Sequence, residues 1–312
     1  MKKNDKIFIA GHKGFLGSAL VNQLKLNNFN NLILRTKKQL DLIDHFQVER
    51  FFKRNRPDIV INAAGNSGNL YQCIKSPAKL YYINSTIQNN LFEISKKYSV
   101  KKLAYISSSC IYPDGINRPI KETDFLNGKL ELATEGYAAS KISGILACKS
   151  YNKQYFNNKP KFIALVPNTL FGPNDNFNLE EAHVFSALIK RFSDAQTKNK
   201  KYVKILGSGE SKREFILNYN VADAIIFMLK NSSKLKNYHY NIGPGKELSI
   251  RSLANLLSKK LKYKGKIVWD TSKHNGRKRK LLSYKEIEKI GWKPKYNFQE
   301  SLELTINWYN NK

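Results

Sequence analysis

The stretch IFIAGHKGFLG (7–17) constrains this chain more than any other. A four-residue apolar run stops at Gly11, glycines recur at 14 and 17, and an amphipathic pattern begins near residue 15 and runs to about 27. This predicts a strand, a tight turn and a helix in immediate succession. The first glycine can make the turn, and the second lets a pyrophosphate approach the backbone. The third allows the helix to pack against the strand, with the anion resting on the helix N-terminus.

The same alternation continues to about residue 166. LILR (32–35), DIVINAA (58–64), KLAYISSS (102–109) and FIALVP (162–167) are apolar runs of strand length. Helical patterns near 44–53, 78–98 and 137–156 separate them. Near-continuous apolar strands alternating with helices predict an α/β fold, a doubly wound parallel Rossmann sheet covered on both faces. Beyond Pro167 the pattern becomes irregular, with loops such as FGPNDNFN and GSGESKREF between helices near 182–198, 220–231 and 249–262. The expected division is a cofactor-binding Rossmann domain over 1–167 and a smaller C-terminal α/β substrate lobe over 168–312. Some segments of the second part are expected to return to the first.

Composition narrows the class. No run of about 18 apolar residues could span a bilayer, and the apolar start behind MKKND is cut off by Gly11, His12 and Lys13. It reads as a first strand and not as an export signal. Cys73, Cys110 and Cys148 form neither an even disulfide framework nor a CxxC metal spacing, so a reducing, cytoplasmic setting and no metal are expected. Lys and Arg number 54 against 24 Asp and Glu, a formal charge of +30. The cations are mostly lysines spread along the chain, which fits a solvated basic surface better than a nucleic-acid patch. Attraction of an anionic substrate is another use of that charge.

At the end of the second strand a carboxylate would favour NAD, whereas a cation would accommodate the 2′-phosphate of NADP. Arg35 stands there, followed by Lys37 and Lys38, with no acid before Asp41. NADP(H) is therefore expected. EGYAASK puts Tyr137 and Lys141 on one helix face, where a nearby ammonium is expected to lower the phenol's pKa. SSS (107–109) lies upstream at a strand end and can orient a substrate carbonyl. Cys110 follows directly, and His183 sits in EEAHVF at the start of a helix. A thiol and an imidazole can both move protons near neutral pH.

Together FIAGHKGFLGSA, LRTKKQLDL, SSSCIYP, GYAASKISG, CKSYNKQY, GPNDNF, HVFSALIKRF, GSGESKREF and RKLL resemble the GDP-L-fucose synthase family, extended short-chain dehydrogenases/reductases, over essentially the whole chain. The resemblance implies epimerisation of GDP-4-keto-6-deoxymannose at C3 and C5, then reduction at C4 with NADPH. It implies Ser108, Cys110, Tyr137, Lys141 and His183 as catalytic residues. It places Gly11, Gly14, Phe15, Leu16, Gly17, Arg35, Asp41, Leu42, Ala63, Ala64, Lys141, Pro167, Leu170 and His183 around the cofactor. Ser108, Ser109, Asn168, Arg191, Arg213 and Lys280 would face the substrate, the arginines pairing with its diphosphate. A homodimer, formed through sheet-flanking helices, is also implied.

The chain departs from the family on the substrate side. AAGNSGN (63–69) stands where the family reads AAKVGG, and Pro167-Asn168-Thr169 exchanges the two polar residues of Pro-Thr-Asn. Leu206 replaces a tryptophan and Ser283 an acid. A related keto-deoxy sugar or heptose therefore stays open, as do a nucleotide-sugar 4-epimerase or 4,6-dehydratase. A basic RNA-binding protein without catalysis is the reading furthest from these.

Overall fold

The computed structural model describes residues 1–67, 70–272 and 277–312. The first half follows the expected alternation: β1 (Ile7–Ala10), α1 (Phe15–Leu26), β2 (Leu32–Ile33), α2 (His45–Asn55), β3 (Ile59–Asn62), α3 (Leu70–Lys75), α4 (Pro77–Lys97), β4 (Lys102–Ile106), α5 (Glu135–Tyr155) and β5 (Phe162–Pro167). The second half continues with β6 (Thr169–Phe171), α6 (Val184–Thr197), β7 (Tyr202–Leu206), β8 (Lys212–Leu217), α7 (Asn218–Lys230), β9 (His239–Ile242), β10 (Glu247–Ser249) and α8 (Ile250–Lys260). It closes with β11 (Lys266–Asp270), α9 (Lys285–Lys289) and α10 (Phe298–Asn310).

Among the described residues the main sheet has six strands in the order β2-β1-β3-β4-β5-β9, all parallel. The chain steps one way from β1 to β2 and the other way to β3. The crevice where ligands bind in such sheets therefore opens above β1 and β3, at Gly11 and Ala63. Both faces are covered. Leu20 and Leu24 of α1 pack with Val221 and Ile225 of α7 on one side. Phe52, Leu91, Phe92 and Ile145 from α2, α4 and α5 fill the other.

Segments of the second half do return. β9 pairs with β5, Ala164 opposite His239, and α7 covers the first face. What remains forms a smaller body of two sheets, β10-β8-β6 and β11-β7, around Phe171, Phe185, Phe192 and Phe215.

One expectation needs correction, and one helix is added to another. LILR yields a strand of only Leu32–Ile33. This edge pairs with β1 alone, and just beyond it the exposed Arg35 guanidinium donates to the Leu34 carbonyl at 2.8 Å. The long helix near 78–98 is preceded by the separate short helix α3, because Pro77 at the first turn of α4 cannot donate to a helix running through it. Helix α10 was not anticipated. Asn297 and Glu300 close a capping box in front of it, a signal present in the sequence. Among the described residues no helix is long and apolar enough to cross a membrane.

Candidate active site

The glycine turn is closed by Gly14 N–H donating to the Gly11 carbonyl at 2.9 Å. Gly11 has φ +79°, and a Cβ there would meet Ala63 O and the Ala64 backbone at 2.8 Å. At Gly17 a Cβ would lie 2.0 Å from Gly11 O. Both contacts are with backbone, so no side chain could be accommodated without moving the strand or the helix. Ala63 and Ala64 form the opposite rim, Ala63 N donating to Ala10 O at 3.1 Å. Phe15 and Leu16 open α1, Leu16 buried in the core. Pro167 ends β5, and Leu170 on β6 packs on the core beneath.

Arg35 is exposed and lies over the Phe51 ring at 5.9 Å. With Arg50 and Arg54 of α2 it lines a polar cavity of about 490 Å³ beside the end of β2. Those two arginines, one helical turn apart, escaped sequence reasoning. Asp41 instead caps its own turn, accepting from Ile43 N at 3.0 Å, with Leu42 half-buried beside it. A glycine cradle that any Cβ would fill and a cationic recess at the adenosine end both fit NADP(H).

The reactive groups gather at the carboxyl end of β4. Lys141 Nζ donates to the Ile106 carbonyl at 3.0 Å and sits 5.7 Å from the Tyr137 ring centre. Behind it the buried Tyr105 hydroxyl donates to Gln88, whose amide donates to Ser140 O and Ser143 Oγ. This pins α4 to α5. The Ser108 hydroxyl acts on both Tyr137 and Cys110, favouring the ionised form of each, which brings three of the expected residues together.

Burial pushes the Tyr137 phenol well above its ordinary value, the Cys110 charge adding to this and the Ser108 hydrogen bond opposing it. The expected lowering by Lys141 is thus corrected: the lysine spends an N–H on a backbone carbonyl, and burial brings its own pKa down to about 8. Burial also raises the Cys110 thiol, against the pull of Lys280, Ser108, Lys141 and Arg277.

His183 is exposed at the N-terminal end of α6. Desolvation lowers its pKa, while the buried Asp175 carboxylate works in the opposite direction. Asp175, held by Ser186 Oγ and Asn176 N, comes from the GPNDNF stretch and was not singled out. His183, Arg213 and Lys280 line a cavity of about 420 Å³ together with Glu131 and Arg277. Arg277 was missed as well. Its Nε lies 3.2 Å from Asp114 and 3.1 Å from Glu131. Burial lowers Arg213, and it lowers Lys280 to about 8.

Three expected substrate residues are placed differently. Arg191 lies two turns along α6 and is not among the residues lining this cavity. Asn168 is buried, and its amide is spent on Glu214, Ser109, Thr169 and the Lys280 carbonyl. Ser109 is buried behind it. In the departing AAGNSGN segment, Gly65 has φ +154° and a Cβ would meet Asn84 Oδ1 at 2.7 Å. Asn66 is tied to Asn84 through both its N–H and its carbonyl. Gly68 and Asn69 lie outside the described residues. Leu206 is exposed at the end of β7, and the aromatic in its neighbourhood is Trp269 on β11, against Gly209.

Comparison with known proteins bears on both lobes. A family model described as the NAD dependent epimerase/dehydratase family matches residues 7–243. The putative GDP-L-fucose synthase 2 of Arabidopsis thaliana is 40% identical over 309 residues, 99% of this chain and 93% of that protein. The GDP-L-fucose synthase of Escherichia coli K12 is 36% identical, covering 97% and 96%. Among solved structures, a GDP-mannoheptose C4 reductase from Campylobacter jejuni with NADP bound superimposes with a TM-score of 0.90 at 34% identity, covering 99% of both chains. Similarity of this extent, running through both halves of the molecule, means that the chain belongs to the NAD dependent epimerase/dehydratase family and, within it, to the GDP-L-fucose synthase family.

Proposed function

We propose that this protein is an NADPH-dependent 3,5-epimerase and 4-reductase of a nucleotide-linked 4-keto-6-deoxy sugar, converting GDP-4-keto-6-deoxy-D-mannose to GDP-L-fucose. The observation that carries the reading is Ser108 acting on both Tyr137 and Cys110, with Lys280 and Arg277, which line the cavity that also holds His183, acting on the same thiol. Names of full-length relatives at 36–40% identity support the substrate.

Residues 1–167 would hold the cofactor, at the turn Gly11–Gly17, the Ala63–Ala64 rim and Arg35. Residues 168–312 mainly hold the substrate, apart from β9 and α7. NADPH bound there supplies the hydride for C4. Arg213, Arg277 and Lys280 form the cationic wall for the diphosphate, a guanidinium suiting phosphate oxygens. Cys110 and His183 remove and return the protons on the carbons flanking the ketone. Ser108 and Tyr137 hydrogen-bond the ketone oxygen as the enolate forms. Lys141, Lys280 and Arg277 around Cys110 lower the cost of a thiolate. In the reduction Tyr137 gives its proton to the C4 alkoxide. The balance is one keto sugar, one NADPH and one proton consumed, one reduced sugar and one NADP+ formed.

A homodimer through α4 and α5 fits Tyr81, Tyr82, Leu146 and Tyr155, large side chains left exposed on those helices. Three buried free cysteines suit a reducing cytoplasm.

A second reading keeps the chemistry and changes the sugar to a GDP-linked keto-heptose. Gly65 and Asn66 in place of the family's Lys-Val pair, and the likeness to the heptose C4 reductase, favour it. Purified protein incubated with NADPH and either keto sugar separates the two: loss of NADPH absorbance is expected with the deoxymannose derivative. Consumption with the heptose alone would move the assignment, and none with either would sink the reductase.

A further inference from the structure

Glu214 has no solvent exposure. Its neighbour Arg213 lines the cleft, and alternation along β8 sends Glu214 the other way, into the interior. Three N–H groups converge on its carboxylate: Asn168 Nδ2 at 2.5 Å, Gly245 N at 2.7 Å and Leu282 N at 3.0 Å. Three donors suit an ionised carboxylate, since a protonated one would have to present an O–H in turn. Burial pushes its pKa up to about 7, and these same hydrogen bonds oppose the rise. A buried carboxylate held by N–H groups is costly to keep. Even the space above it is reserved, because a Cβ on Gly243 would come within 2.4 Å of Oε1.

Two of the three donors, Asn168 and Leu282, belong to segments that form the cleft. Asn168 accepts from Ser109 Oγ at 3.3 Å through its Oδ1, and its Nδ2 also reaches the Lys280 carbonyl at 3.2 Å. Ser109 stands between Ser108 and Cys110 in the chain. Leu282 continues the segment that carries Arg277 and Lys280.

We infer that Glu214 is a positioning residue: through Asn168 it holds the turn bearing Ser108 and Cys110 at a fixed separation from the segment bearing Arg277 and Lys280. The inference rests on the reading of the site given above. Proton exchange needs the thiol and the bound diphosphate in register, and a displacement of about 1 Å can cost about 10²-fold in rate.

The test uses Glu214→Gln, which keeps the shape but turns an amide N–H toward other donors, and Ser109→Ala, which removes only the last link. For each variant, solvent-deuterium incorporation into the keto sugar, KM and the NADPH dissociation constant are measured. The alkylation rate of Cys110 by iodoacetamide is followed by mass spectrometry, with Cys148 as internal control. Glu214→Gln should lower exchange about 10- to 100-fold, raise KM and change Cys110 alkylation, with NADPH affinity and Cys148 alkylation unchanged. Ser109→Ala should change exchange and Cys110 alkylation in the same direction, by less. Parental exchange and alkylation in a folded Glu214→Gln protein would overturn the inference. If that variant does not fold, parental values in Ser109→Ala overturn it. Should the parental protein act on no keto sugar, the functional reading fails, and the alkylation rates still judge the positioning.

Discussion

The two walls of the cleft are built in different ways. Tyr137 and Lys141 stand one helical turn apart on α5, and Lys141 reaches the backbone of the adjoining strand at Ile106. Gly144, a turn further on, leaves room for Tyr105, whose ring edge lies where a Cβ would be, within 2.3 Å. Everything on this wall follows from one strand and one helix packed together. The facing wall draws Glu131, His183, Arg213, and the Arg277–Lys280 pair from four separate segments. Their separation depends on loops and on the buried node at Glu214 and Asn168. Under the proposed function, the contrast is a division of labour: a locally encoded reducing wall, and a substrate wall that can change between related sugars without disturbing it.

The largest effect that tests this division is expected for Tyr137→Phe. Removing the proton donor should lower NADPH consumption about 10⁴-fold, while deuterium exchange into the keto sugar falls only about 10²-fold, the loss of one hydrogen bond to the enolate oxygen, since Ser108, Cys110 and His183 remain. Equal loss in both measurements would break the division. Next comes Gly17→Ala on the cofactor side. The added methyl meets the backbone of Gly11 and His12, and overpacking of this kind costs about 1–3 kcal/mol. NADPH should bind about 10- to 100-fold more weakly by fluorescence titration, with the affinity for GDP unchanged. Weakened GDP binding would show that the walls are coupled.

The smallest effect is a change in pH dependence. Lys280 and Lys141 each lose their positive charge as pH rises past about 8, so kcat/KM should fall above that pH with two ionisations. Lys280→Arg keeps the substrate-wall charge. At about pH 9 it should retain up to about tenfold more of its neutral-pH kcat/KM than the parent does, leaving a single-ionisation limb from Lys141. Superimposable profiles would remove Lys280 from the titrating groups.

How far each wall could be read beforehand follows from the same contrast. The glycine turn and the Tyr137–Lys141 pair are short-range patterns, and their spacing alone carries the geometry. For the elements read in the first half and for α6, α7 and α8, ends fell within a few residues, whereas strands β6–β11 went unread and β8 runs through part of GSGESKREF, a stretch expected to be a loop. Arg277 and Glu131 form an ion pair across the chain, which no local pattern announces. The family resemblance put Asn168 against the substrate, whereas its amide bonds Glu214, Ser109 and the Lys280 carbonyl. The direction of the Tyr137 shift was also out of reach, since it depends on how deeply the phenol is buried.

By itself, then, the sequence determined the parallel sheet, the anion cradle and the residue types able to move protons. These rest on periodicity, on φ angles open to glycine and on helical spacing, all set by neighbours in the chain. Only the tertiary structure decided which cations meet around Cys110, that Asn168 serves Glu214 and that Arg191 stays off the cavity. Those outcomes depend on desolvation and on contacts between distant segments, which exist once the two lobes have closed on one another.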